Sequence, residues 1–292
     1  MQRITRKFKK QLGYWSRLYD NLLSSCGQQQ HSFGECGSCK PKNTEQDEGL
    51  TVDAKLVVIR AQLAACREMT TSDALLNTTK STPEAIEAAY KKAVVAHLTL
   101  LDFIRQTSAD NAIADSIYTQ LGTLDKQVQE DLLVLYQHAV SAFQDMQTHT
   151  ASYPAQDTKI DIFLKKTCAN YCKLLSELSG VAQADREKWA LKARTQYEAA
   201  RRGSSGALQS TDTLLLEVEL GYAVFLAEIE KKTQEACVVV KQAFDRAYPY
   251  LQNTDDTTYQ ASSRVLILLR EYLTIWTNQL TAQRDALDEF LL

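Results

Sequence analysis

The stretch Ser263-Arg-Val-Leu-Ile-Leu-Leu-Arg-Glu-Tyr-Leu-Thr-Ile-Trp-Thr277 decides the fold class. Val265, Leu268, Leu269, Tyr272 and Trp276 recur at three- and four-residue intervals, which places them on one connected face of a long helix over about 255–280. Upstream, Leu214, Leu220, Val224 and Ile229 recur near helical spacing and predict a second helix within roughly 210–232. Ser81-Thr82-Pro83-Glu84 is a helix start, because a hydroxyl can cap the free N–H groups and proline is tolerated in the first turn. That helix should run to about Gln106. Short breaks fall at Lys80-Ser-Thr-Pro83, Tyr153-Pro154, Arg202-Gly-Ser-Ser-Gly206 and Asn253-Thr-Asp-Asp256. The expected fold is all-α, an antiparallel array of about nine helices with no strand, because long helices joined by short loops pack as neighbours.

Composition agrees. Of 292 residues 45% are apolar and 24% charged, with only 10 Gly and 4 Pro, too little punctuation for a many-turned β-sandwich. No run approaches the 18 or so apolar residues of a membrane span, and the basic first residues lack the apolar core of a secretory signal, so a cytoplasmic or nuclear location is expected. Of the seven Cys, Cys66, Cys168, Cys172 and Cys237 sit inside helical patterns, which predicts free thiols in a reducing compartment. A net charge of -3 gives no reason to expect nucleic acid as a partner. There is no P-loop, GxGxxG, HExxH or GxSxG, and the four His and the carboxylates form no catalytic grouping, so neither enzyme activity nor a cofactor is expected.

Residues 1–50 read as an extension. Ile4, Phe8, Leu12, Trp15, Tyr19 and Leu22 follow helical spacing among Arg3, Arg6, Lys7, Lys9, Lys10 and Arg17. Such a basic amphipathic helix over residues 1–24 suits peripheral contact with an anionic membrane, entry into a partner's groove, or packing on the helical body. Cys26, His31, Cys36 and Cys39 then follow with C-x4-H-x4-C-x2-C spacing. They could supply a tetrahedral zinc set, although a linker bearing free thiols is the favoured reading and no metal is assigned.

The C-terminal helix, together with Ala236-Cys-Val-Val-Val-Lys-Gln-Ala-Phe-Asp245, closely resembles the last two helices of 14-3-3 proteins. Val224-Phe225 with Glu228-Ile229 resembles the preceding helix. Phe163-Leu-Lys-Lys166 with Leu175-Ser-Glu177 resembles the family's central helix, and Ala89-Tyr90-Lys91 with Val94-Val95-Ala96 its third. The resemblance spans roughly residues 52–280. It implies a nine-helix protomer that dimerises through N-terminal helices, as a homodimer or heterodimer, and holds phosphoserine or phosphothreonine peptides in an amphipathic groove.

At the phosphate-contacting positions that the resemblance implies, this chain carries Lys91, Leu98, Lys173 and Leu174, so both expected guanidiniums and the expected tyrosine are missing. The flanking positions are Lys166, Asn170 and Glu177. The two peptide-clasping asparagines fall at Gly221 and Tyr272, while Glu228 and Trp276 persist. The apolar wall is Leu220, Val224, Val265, Leu268 and Ile275, with Arg264 at one leucine position. Losing one Arg contact and one hydroxyl would cost roughly 3–5 kcal/mol at about 1.5–3 kcal/mol per charged hydrogen bond. The expected function is therefore a non-enzymatic dimeric adaptor with weakened phosphate dependence; the alternative is a phosphate-independent helical scaffold that uses the basic N-terminal helix.

Spacing alone adds two readings. Lys166, Asn170, Lys173 and Glu177 at i, i+4, i+7 and i+11 form one polar stripe, either a solvated face or a groove wall. Lys91 and Leu98, seven apart, share a face on which Leu98 reads as packing. A small apolar stripe of Leu56, Ile59, Leu63 and Cys66 is offered for the dimer contact. The tail, 281–292, alternates Leu287, Phe290, Leu291 and Leu292 with Asp285, Asp288 and Glu289; it either enters the groove as an internal ligand or continues the last helix.

Overall fold

The computed structural model describes residues 51–70, 82–109, 114–151 and 158–291, with side chains described as far as Asp285. The basic helix expected over residues 1–24, the zinc candidates Cys26, His31, Cys36 and Cys39, the Tyr153-Pro154 turn and the last side chains of the tail lie outside the described residues. Eight α-helices are described and no strand: α1 (Val52–Thr70), α2 (Pro83–Ser108), α3 (Asp115–Ala151), α4 (Thr158–Glu177), α5 (Gln183–Ser204), α6 (Thr213–Glu228), α7 (Thr233–Ala247) and α8 (Asp256–Leu291), with a 3-10 turn at Tyr248–Asn253. The array is the all-α one expected. None of the described helices is long and apolar enough to cross a membrane.

Chain contacts define two units, one ending at Leu135 and one beginning at Tyr136. In the first, α1 packs on α2. The start of α2 forms as its sequence dictates: the Thr82 hydroxyl accepts a hydrogen bond from the Ala85 N–H at 3.3 Å and Pro83 occupies the first turn. Leu56, Ile59, Leu63 and Cys66 are all buried within this unit. The stripe offered for a dimer contact is therefore spent on the chain's own core.

The second unit is organised around α6, in which eleven of sixteen residues are buried. It packs on α4, α5, α7 and α8. Asp212 caps its start, accepting from the Leu214 N–H at 2.9 Å. The helix stops at Glu228, short of the expected 232. Lys231 takes a left-handed φ of 60°, and the Lys232 N–H donates back to the Leu226 carbonyl at 2.8 Å, a wrap that closes helix C-termini. The last helix instead overruns its expected end near 280 and continues to Leu291, with no Gly or Pro after Asp256 to stop it. Cys66, Cys168, Cys172 and Cys237 are free thiols, the first three buried.

Candidate functional site

The polar stripe of α4 faces inward. Lys166 and Lys173 are buried at 4% and 5% exposure, which excludes a solvated face, and Asn170 and Glu177 lie at its edge. Charges buried to this degree need partners. Lys173 Nζ lies 2.9 Å from Glu228 Oε2, on α6, and 3.2 Å from Glu177 Oε2, one turn along α4. Burial alone would push this ammonium's pKa down, but Glu177 and Glu228 outweigh it and hold the group well above the ordinary lysine value. Lys166 donates to Glu217 Oε2 at 2.7 Å and sits 4.7 Å from the centre of the Phe163 ring. Two ammoniums thus meet three carboxylates on this wall.

Asn170 is committed as well. Its side-chain oxygen accepts a 2.6 Å hydrogen bond from the Tyr197 hydroxyl of α5. Gly221 makes that contact possible: a Cβ there would fall 3.0 Å from Tyr197 Cε1, 3.3 Å from its hydroxyl and 3.4 Å from the Asn170 oxygen. Tyr197 is fully buried, with Phe225 and Tyr222 ring centres 5.7 and 6.1 Å away. The position at which the resemblance implies a peptide-clasping amide is here the gap that a tyrosine fills.

The apolar residues of the predicted wall, Leu220, Val224, Val265 and Leu268, are each at most 6% exposed, and Trp276 is 4% exposed. Tyr272, at the second asparagine position, is partly buried, with its ring centre 5.0 Å from that of Trp276. Ile275 remains exposed. Leu174 is buried on α4. The structure thus brings Lys166, Asn170, Lys173, Glu177 and Glu228 together between α4 and α6, and buries the apolar positions of α6 and α8. In the first unit Lys91 is buried and ion-paired with Glu87 at 2.9 Å, while Leu98 packs as a core residue.

Three partners of the predicted residues, one in the first unit and two in the second, carry less sequence signal or none. Glu87 stands four residues before Lys91, a spacing that sequence could have shown. Glu217 and Tyr197 come from other helices, 51 and 27 residues from the groups they hold, and carry no local signal. No group of three or more His, Cys, Asp or Glu among the described residues could hold a metal ion.

The helical array and this wall define the class. The family model for the 14-3-3 protein matches residues 62–277, and the chain belongs to the 14-3-3 family. It is similar to the 14-3-3 protein homolog of Neospora caninum, 32% identical over 129 residues, which are 44% of this chain and 48% of that one. The 14-3-3-like protein GF14 omicron of Arabidopsis thaliana is 34% identical over 119 residues, 41% of this chain and 46% of its own. With 14-3-3 protein I of Plasmodium falciparum the identity is 26% over 206 residues, 70% of this chain and 76% of that one. The chain spans about half the length of the first two relatives.

Proposed function

We propose that the protein is a non-enzymatic cytoplasmic adaptor that binds partner proteins along the α4–α6–α8 surface and gains little from phosphorylation of the partner. Family membership supports the adaptor reading. One observation carries the weakened phosphate dependence: Lys173, the remaining cation of that wall at a phosphate-contacting position, is held between Glu177 and Glu228. A phosphate approaching it would compete with two carboxylates already in place, and it would do so without the planar fork of a guanidinium. The charge-assisted hydrogen bonds that would otherwise reward it, about 1.5–3 kcal/mol each, are offset by those it must displace.

The second reading, a phosphate-independent scaffold, gains support from the Asn170–Tyr197 pair over Gly221, which uses up a polar group suited to a peptide backbone. One titration separates the two. Matched phosphorylated and unphosphorylated Arg-rich serine peptides are bound to the full chain; an increment of about three- to tenfold, at 1.4 kcal/mol per tenfold, fits the weakened adaptor, and equal affinities fit the scaffold. A preference of a hundredfold or more contradicts both. The adaptor is further proposed to be a homodimer or heterodimer, on family membership and not on the buried α1 stripe. Light scattering at tens of micromolar that finds only the mass of one chain removes the homodimer.

A further inference from the structure

The break at Arg202-Gly-Ser-Ser-Gly206, which the groove does not use, lines a separate cavity of about 380 Å³ in the second unit. The end of α5 supplies Arg201 and Arg202, α7 supplies Arg246, and α6 supplies the buried Glu219. Arg201 Nε donates to Glu219 Oε2 at 3.0 Å, and Arg246 Nη2 lies 3.4 Å from Glu219 Oε1, so one carboxylate fixes two guanidiniums from different helices. Arg201 is also seated 4.5 Å from the centre of the Tyr222 ring. Glu219 accepts a hydrogen bond from Arg201 Nε, and Arg201 lines the cavity. Arg246 spends Nε on the Gln242 carbonyl and Nη2 on Glu219. Arg202 touches Glu198 only at 3.9 Å and its side chain is 71% exposed.

Three guanidiniums against one carboxylate leave the lining with an excess of two positive charges, and the two best-fixed arginines keep donor groups in hand. Planar guanidiniums fixed by a buried partner suit a tetrahedral oxyanion, which accepts several charge-assisted bonds at once. Gly206, at a φ of 83° that L side chains rarely adopt, turns the chain back at the rim beside Ser205. Leu208 and Leu215 give an apolar surface beside the arginines. We infer that this cavity is a phosphate-binding site, distinct from the α4–α6 wall, that takes inorganic phosphate or a phosphomonoester through Arg201, Arg202 and Arg246.

The test is calorimetry on the full chain with inorganic phosphate and, separately, with O-phosphoserine at matched ionic strength. Saturable binding with one site per chain is expected. Arg202→Ala and Arg246→Ala should each weaken it about tenfold, on the order of one charge-assisted contact. Arg284→Ala, an exposed arginine outside the lining that removes the same charge, should leave it unchanged. A phosphoserine affinity at or above that of inorganic phosphate assigns a phosphorylated side chain as the source; a lower one assigns the free anion. Arg202 does not touch Glu219, so its variant decides the matter even if Arg246→Ala folds poorly. No saturable binding of either probe, or binding that survives Arg202→Ala and Arg246→Ala unchanged, overturns the site. Neither result bears on the peptide increment at the groove, so the two readings fail separately.

Discussion

Two polar clusters in the same unit carry opposite balances. Along α4 and α6, Lys166 and Lys173 meet Glu177, Glu217 and Glu228 and are buried. Around the end of α5, Arg201, together with Arg246 of α7, meets one carboxylate, Glu219, while Arg202 lies 3.9 Å from Glu198, and the three side chains are 31% to 71% exposed. Both clusters gather cations, two lysines in one and three arginines in the other. What separates them is how much of each charge the fold has already used. A buried ammonium must be neutralised by the chain itself, whereas a partly exposed guanidinium can leave donors for something else.

The contrast can be broken by removing one cation from each cluster. Lys173→Met leaves Glu177 and Glu228 without their shared partner in a buried place and should cost about 3–5 kcal/mol in urea unfolding. Its pH dependence has a defined sign. The folded-state pKa of Lys173 is raised above the ordinary 10.5, so the pair's contribution is fully present below that value and fades only as pH rises through the folded value. The difference between parent and variant should therefore stay level from pH 6 to about 9.5 and shrink in more alkaline solution.

Gly221→Asn, which restores the amide that the family resemblance implies, should cost about 1–3 kcal/mol, because its Cβ arrives 3.0 Å from a fully buried ring. A loss that exceeds the one from Asn170→Ala, which removes only the bond to Tyr197, would locate the cost in crowding. Arg246→Ala should cost least, about 1 kcal/mol or below, because Arg246 itself is largely exposed and Arg201 continues to hold the buried Glu219. If the arginine loss matched the lysine loss, the distinction between spent and available charge would fail.

Much of the helical array is legible in the sequence. The Thr82 cap and Pro83 gave the start of α2, and its predicted end at Gln106 lies two residues from Ser108. Periodicity also gave α6 and most of α8. α8 runs past 280 to Leu291, the helical continuation that is one of the two readings of the tail, and no residue beyond 280 breaks a helix. Half of the site was readable in the same way. The Lys173–Glu177 and Lys91–Glu87 pairs are i, i+4 contacts written into one helix. Glu217 and Glu228 reach α4 only after α6 has packed on it, and Tyr197 meets Asn170 only because Gly221 offers no Cβ. Contacts of that kind depend on tertiary packing that one sequence does not spell out. The inward turn of the α4 stripe belongs with them, since polar periodicity says which residues share a face and not what lies opposite.

The most direct test frees Lys173 from one of its carboxylates and asks whether phosphate then gains. Affinities for a matched phosphorylated and unphosphorylated peptide are measured on the parent chain and on Glu228→Gln, which removes the closer of the two carboxylates at Lys173 while keeping a similar shape. The phosphate increment should be about tenfold or less in the parent and should rise several-fold further in Glu228→Gln, at roughly 1.4 kcal/mol per tenfold. A parent preference of a hundredfold or more, unchanged by Glu228→Gln, would contradict the account.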